Sequence, residues 1–168
     1  MQTTSLPSRR RFFVHATLVV AAMGLMSTAV HAYDEHSPRP VNVDAQGLAL
    51  QGHDPVAYFT AGKPTPGQAH LTATHEGVTY RFANEGHRQT FLHSPQKYVP
   101  AFGGFCAMGV ALGKKLDVDL NAWRIVDGRL YLNLNKDVQK KWLEDVPAHL
   151  DQANATWPRI RNAQPKDL

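Results

Sequence analysis

One hairpin motif limits the folds open to this chain more than any other stretch. The segment WRIV at 123–126 and the segment RLYL at 129–132 flank the dipeptide Asp127-Gly128. Two β-prone runs separated by Asp-Gly are typical of a two-residue hairpin turn, because both turn residues must adopt positive φ. The chain is therefore predicted to contain antiparallel strands that are joined directly.

A second hairpin and several helix starts complete the fold prediction. The runs 71–74 and 78–82 flank residues 75–77, and apolar residues alternate with polar ones in the second run. Asp54-Pro55, Asn84 and Asn135 are typical helix caps, and the run 105–112 before Gly113 is predicted to be helical. The apolar run 48–50 predicts a first strand. The fold class is therefore α+β, a small antiparallel sheet built from hairpins and covered by short helices.

The first 32 residues have the pattern of an export signal. They contain Arg9, Arg10 and Arg11 but no acidic residue, and they continue into an apolar run at 14–26 and the exit Val30-His31-Ala32. Paired arginines followed by Phe12 resemble the twin-arginine signal. We predict a signal peptide at 1–32, a linker at 33–44, one domain at 45–160 and a tail at 161–168, with the mature protein in the periplasm. An ordinary secretion signal is the alternative.

Charge and cysteine content exclude several classes of function. After residue 32 the chain carries 15 basic and 14 acidic residues, so it lacks the positive charge that nucleic-acid binding requires. Once the signal is removed, no segment predicts membrane insertion. The single cysteine excludes an internal disulfide, so a monomeric domain is expected. The chain contains no G-x-S-x-G, H-E-x-x-H, C-x-x-C or phosphate-loop motif, so nothing in it indicates an enzyme.

The order of several motifs resembles that of the YHS domain family. The opening is GHDPVAYF at 52–59, and the core signature is TYRF at 79–82 with FLHSPQKY at 91–98. An exported bacterial branch of the family is matched by GGFCA at 103–107 and DGRLYLN at 127–133. The resemblance covers roughly 47–157 and implies a small fold with a treble-clef-like centre. It also implies a link to heavy-metal or copper handling.

The same resemblance singles out one histidine. Commoner members of the family carry cysteines after the opening Asp-Pro-Val, after the aromatic strand, and four residues further on. Here those positions hold Ala57, Ala83 and His87, and the exported branch has its cysteine at Cys106 instead. The resemblance thus implies His87 at a ligand position, while two of the usual thiols are replaced by alanine.

Cys106 has three open interpretations from the sequence. It follows Gly103-Gly104 and stands at the start of a predicted helix, where N–H groups favour a thiolate that could bind a metal or act as a redox thiol. Alternatively, it is a small buried core residue, since its neighbours are apolar. Met108 offers a second soft sulfur, although residues two apart on a helix face different ways.

The metal hypothesis combines three side chains. Cys106, His87 and, as a third ligand, His53 are predicted to form one soft-metal site, and thiolate with imidazole favours copper over magnesium or calcium. For each histidine the alternative is a solvent-exposed surface residue. The functional prediction is a periplasmic metal-binding or metal-sensing module. The alternative is a structural or protein-interaction domain, or a redox-thiol protein, without bound metal; no particular protein partner is indicated.

Overall fold

The fold is described from a computed structural model that covers Met1 and residues 33–168. It is α+β, as predicted, and two β-hairpins lie between groups of helices along the chain. The elements are α1 (Ala57–Thr60), β1 (Gln68–His75), β2 (Val78–Phe82), α2 (Glu85–His93), α3 (Pro95–Tyr98), α4 (Ala107–Ala111), β3 (Asp119–Val126), β4 (Arg129–Asn133), α5 (Lys136–Trp142) and α6 (Val146–Ile160). None of the described helices has the length and apolar character needed to cross a membrane. The predicted signal peptide lies outside the described residues.

Both predicted hairpins are confirmed, and each forms its own two-stranded antiparallel sheet. In the second hairpin Val126 pairs with Arg129, and the turn residues Asp127 and Gly128 have φ of 49° and 74°. Positive φ at both turn positions matches the right-handed twist of the flanking strands. The first hairpin uses the same type of turn at residues 76–77, so the link between its strands is two residues long rather than three.

Two of the three predicted helix caps, Asn84 and Asn135, are confirmed by side-chain hydrogen bonds, whereas α1 begins at Ala57, later than the Asp54-Pro55 pattern predicts, and has Val56 as its N-cap. Asn84 Oδ1 accepts from His87 N at 2.8 Å at the start of α2, and Asn135 Oδ1 accepts from Val138 N at 2.9 Å at the start of α5. Each bond satisfies one of the N–H groups that the first turn of a helix leaves without a partner. The Asn84 cap fixes where α2 begins and therefore where the His87 ring lies.

Residues 48–50 do not form the predicted first strand; they make only isolated β-bridges and then enter a tight turn. Leu48 bridges to Thr79 and Ala49 bridges to Val43, but neither contact extends into a ladder. The backbone then reverses, because Leu50 and Gln51 both adopt φ of 52°. Left-handed φ at two successive residues ends strand pairing. The apolar side chains of this run are nonetheless buried, which is why its hydrophobicity resembles that of a strand.

Three groups of buried side chains form the core. One lies under the first hairpin and contains Phe82 and Phe91, and a second lies against α6 and contains Trp142. The third surrounds Cys106 with Tyr58 and the leucines of β4. Both Cys106 and His87 are therefore positioned by packed secondary structure rather than by free loops.

A buried lysine attaches both ends of the described chain to this core. The Lys115 side chain is 0% exposed, and its Nζ donates to the backbone oxygens of Arg39, Arg161 and Ala163 at 2.8, 3.1 and 2.9 Å. Nζ also lies 4.7 Å from the centroid of the Phe105 ring, a cation–π contact. Burial disfavours the charged form and lowers the pKa of Lys115 to about 8. Segments 33–44 and 161–168 are thereby held against the domain.

Candidate functional site

The Cys106 sulfur is enclosed within the third core group. Cys106 is 0% exposed and is the N-cap residue of α4. Its Sγ accepts from Gly109 N at 3.3 Å and from Leu134 N at 3.2 Å, and lies 3.9 Å from Asn133 Oδ1. Two backbone donors from different segments therefore converge on one sulfur, which joins the start of α4 to the end of β4.

Burial determines the protonation of this thiol. Burial raises the pKa of Cys106, and hydrogen bonds from the backbone N–H groups of Gly109, Leu134 and Met108 only partly oppose it. The expected helix-start effect is small here because α4 has five residues, and a full macrodipole needs a longer helix. The thiol is thus neutral at physiological pH, whereas nucleophilic attack and metal ligation both require the thiolate.

A buried carboxylate holds the His87 ring in place. Asp54 is 0% exposed, and its Oδ1 accepts from Val56 N at 2.8 Å and from Ala57 N at 3.3 Å. Its Oδ2 accepts from Ala83 N at 2.8 Å and lies 2.6 Å from His87 Nδ1. Because a carboxylate oxygen only accepts, Nδ1 carries the proton of this bond. Asp54 therefore holds the turn that leads into α1, ties in the end of β2 and orients the imidazole.

The other nitrogen of the His87 ring faces the solvent side. The His87 side chain is 21% exposed, and Nε2 lies 3.2 Å from Thr60 Oγ1. Thr60 Oγ1 also lies 3.2 Å from Val56 O, so its single proton can be donated either to that carbonyl or to Nε2. An imidazole whose Nδ1–H is held by a carboxylate presents Nε2 in a fixed direction, the arrangement found behind metal-binding and proton-transferring histidines.

His53 lies at a separate surface cleft. It is partly buried, and the cleft it lines also contains Gln51, Pro64 and Asp119. Its Nδ1 is buried and has no hydrogen-bond partner among the described residues. His53 thus has a free ring nitrogen, but its surroundings differ from those of Cys106 and of His87.

The predicted ligands do not form a cluster in the part of the chain that the structure covers. Within residue 1 and residues 33–168, no group of three or more His, Cys, Asp or Glu side chains is placed to hold a metal ion. Cys106 lies in the core, His87 is held by Asp54, and His53 lines a cleft. The donor set consequently does not fit a preformed three-ligand Cys/His site. Met108 is half-buried and packs against two of the core groups, in agreement with a packing role.

Two structural roles have little or no signal in the sequence. The Asp-Pro pattern predicts that Asp54 caps a helix, but its second oxygen reaches His87, which is 33 residues away in the chain. The only signal for this contact is the pairing of an Asp-Pro cap with an Asn-x-x-His start on the next helix. The clamp formed by Lys115 has no sequence signal, since Lys114-Lys115 resembles an ordinary solvated pair.

Comparison of the chain with protein-family models, with curated proteins and with solved structures finds no match.

Proposed function

We propose that this protein is a non-catalytic interaction module of the periplasm, related to the YHS domains, in which Cys106 serves the fold. The enclosure of the Cys106 sulfur carries this proposal. A sulfur that is fully buried, accepts two backbone N–H bonds and has a raised pKa is a poor ligand and a poor nucleophile. This supports the structural alternative over both the copper and the redox-thiol alternatives.

The use of the other polar groups supports the same proposal. Asp54 satisfies three backbone N–H groups in addition to its bond with His87, and Lys115 satisfies three backbone carbonyls. Groups that hold the backbone in this way are committed to stability, because releasing them would leave buried polar partners unpaired. The Asp54 carboxylate and the Lys115 ammonium are therefore occupied within the fold, and neither is free to contact a substrate directly.

Export to the periplasm is part of the proposal and rests on residues 1–32. Replacing both Arg9 and Arg10 by Lys conserves the charge but removes the paired arginines. If the twin-arginine route is used, the variant precursor accumulates in the cytoplasm, as immunoblots of cell fractions would show. Secretion at the normal level would refute the twin-arginine route while leaving the compartment unchanged.

A soft-metal role for His87 is the second candidate, and one observation favours it. Asp54 Oδ2 holds Nδ1, so Nε2 is the nitrogen that would bind a copper-type ion, and carboxylates behind ligand histidines are common in metal sites. Cys106 and His53 would complete the predicted site only if the protein rearranged to bring them to His87. The protein would then bind the metal only together with a change in its own structure.

A copper titration separates the two candidates. Cu(I) is added to the purified protein in the presence of a competing chelator, for wild type, Cys106→Ser, His87→Gln and the control His93→Gln, whose imidazole lies at the end of the same helix. The interaction-module proposal predicts equal, weak binding by all four proteins. Stoichiometric binding that Cys106→Ser and His87→Gln abolish, and that His93→Gln retains, would establish the metal candidate and overturn the first.

A further inference from the structure

A cleft between the two halves of the molecule combines positive charge with aromatic walls. It lies between the first hairpin, the segment 99–103, the start of β4 and the end of α6, and has a volume of about 180 Å³. Small-molecule sites often lie at such junctions between packed units. A cavity of this size is smaller than the roughly 300–1,000 Å³ of pockets for drug-sized ligands, so it suits a ligand of about ten heavy atoms or fewer.

Two arginines supply the charge of this cleft. Arg129 begins β4 and Arg161 follows the last residue of α6, and both residues line the cleft. Neither takes part in the four ion pairs that the described residues form. Glu76 is the one carboxylate among the lining residues, and its Oε1 lies 3.9 Å from His75 Nε2. The lining thus contains two arginines and one carboxylate, and an anion bound in the cleft would offset the excess of positive charge.

Aromatic side chains form the apolar wall. Trp157 lies four residues before Arg161, so both occupy one side of α6. Its ring centroid is 6.0 Å from that of Phe102, and Tyr80 also lines the cleft. Flat apolar walls beside guanidinium groups favour a planar ligand that carries an anionic group.

The backbone of this wall is held in a rare conformation. Phe102 has φ of 51°, although it is not glycine, and Gly103 has φ of 62°. A Cβ on Gly103 would lie 1.9 Å from Pro40 O, so this position requires glycine. Left-handed φ at a bulky residue carries strain, and such strain concentrates at binding sites, where it places a side chain against a ligand.

We propose that this cleft binds a small aromatic carboxylate, whose anionic group pairs with Arg129 and Arg161 and whose ring packs against Trp157. The proposal rests on the interaction role proposed above and names the class of ligand for that role. It uses neither Cys106 nor His87. If benzoate does not bind in this cleft, the copper titration still decides the role of Cys106 independently.

Three probes of related shape test the proposal on the purified protein. Benzoate has both the ring and the charge, benzamide has the ring alone, and acetate has the charge alone. We expect benzoate to bind with a Kd on the order of 1 mM, as suits so small a ligand. Benzamide and acetate should each bind about tenfold more weakly, because each lacks one of the two interactions. In ¹H–¹⁵N spectra the indole resonance of Trp157, assigned with Trp157→Phe, should shift as benzoate is added.

Matched variants locate the binding site. Arg161→Gln removes the charge, while the backbone oxygen that accepts from Lys115 remains. Arg159→Gln makes the same change two residues earlier on α6, outside the cleft. Arg161→Gln should weaken benzoate binding roughly tenfold, and Arg159→Gln should leave it unchanged. Absence of benzoate binding, equal affinity for benzamide, or equal loss in the two variants would each overturn the proposal.

Discussion

Replacing Asp54 by Asn tests how much one buried carboxylate contributes to stability. Asp54 is 0% exposed and its two oxygens accept from three backbone N–H groups and from His87 Nδ1. Asn has nearly the same shape but only one accepting oxygen. With its NH₂ group turned toward Ala83 N and His87 Nδ1, the amide still accepts from Val56 N and Ala57 N, and His87 can accept from the NH₂ group in its other tautomer. The Ala83 N–H group then loses its acceptor, and the remaining bonds are made to a neutral side chain instead of a charged one.

The expected magnitude follows from the lost bond to Ala83 N. A hydrogen bond to a charged group contributes roughly 1.5–3 kcal/mol, so Asp54→Asn should lower the free energy of unfolding by about 1.5–3 kcal/mol. Urea unfolding followed by circular dichroism would measure this difference. Asp145→Asn is the matched control, because Asp145 is exposed and caps α6 through one bond, to Ala148 N at 3.1 Å. It should change stability by less than ~0.5 kcal/mol, since Asn caps as well as Asp. A loss below about 1 kcal/mol for Asp54→Asn would refute the reasoning.

Three further predictions concern other parts of the fold. Lys115→Met should cost about 2 kcal/mol in urea unfolding, because three backbone carbonyls lose their donor. Gly103→Ala should cost about 3 kcal/mol, because its Cβ would meet Pro40 O, whereas Gly113→Ala, with φ of 80° and open space around its Cβ, should cost only about 1 kcal/mol. The raised pKa of Cys106 means that the unfolded thiol loses its proton first, so the stability advantage of wild type over Cys106→Ala should decline once the pH rises above about 8.5.

The elements that can be located from the sequence are those defined by local chemistry. The Asp127-Gly128 turn needs only two residues that tolerate positive φ, and the Asn84 and Asn135 caps act within three residues. Such signals are complete in a short window of sequence. The α+β class and both hairpins are therefore predictable from the order of the amino acids alone.

The features that the sequence does not predict depend on distant parts of the chain. The environment of Cys106 is set by leucines of β4, which lie more than twenty residues later, and Lys115 meets carbonyls from both ends of the described chain. The run at 48–50 has strand-like hydrophobicity, but the turn at Leu50 and Gln51 prevents it from forming a ladder. Periodicity and composition contain no information about such long-range contacts.

The reactivity of Cys106 is the most direct test of its structural role. Since it is the only cysteine, reaction of the native protein with a thiol reagent such as 5,5′-dithiobis(2-nitrobenzoate) reports on this sulfur alone. We expect native labelling to be at least about a thousandfold slower than labelling in urea, because the sulfur becomes accessible only when the surrounding core opens. Asp54→Asn, which destabilises the fold without altering the residues that contact the sulfur, should speed labelling if global unfolding is the route of access. Labelling of the native protein as fast as that of the unfolded chain would contradict the structural role of Cys106. It would reinstate the interpretations of Cys106 as a metal ligand or a redox thiol.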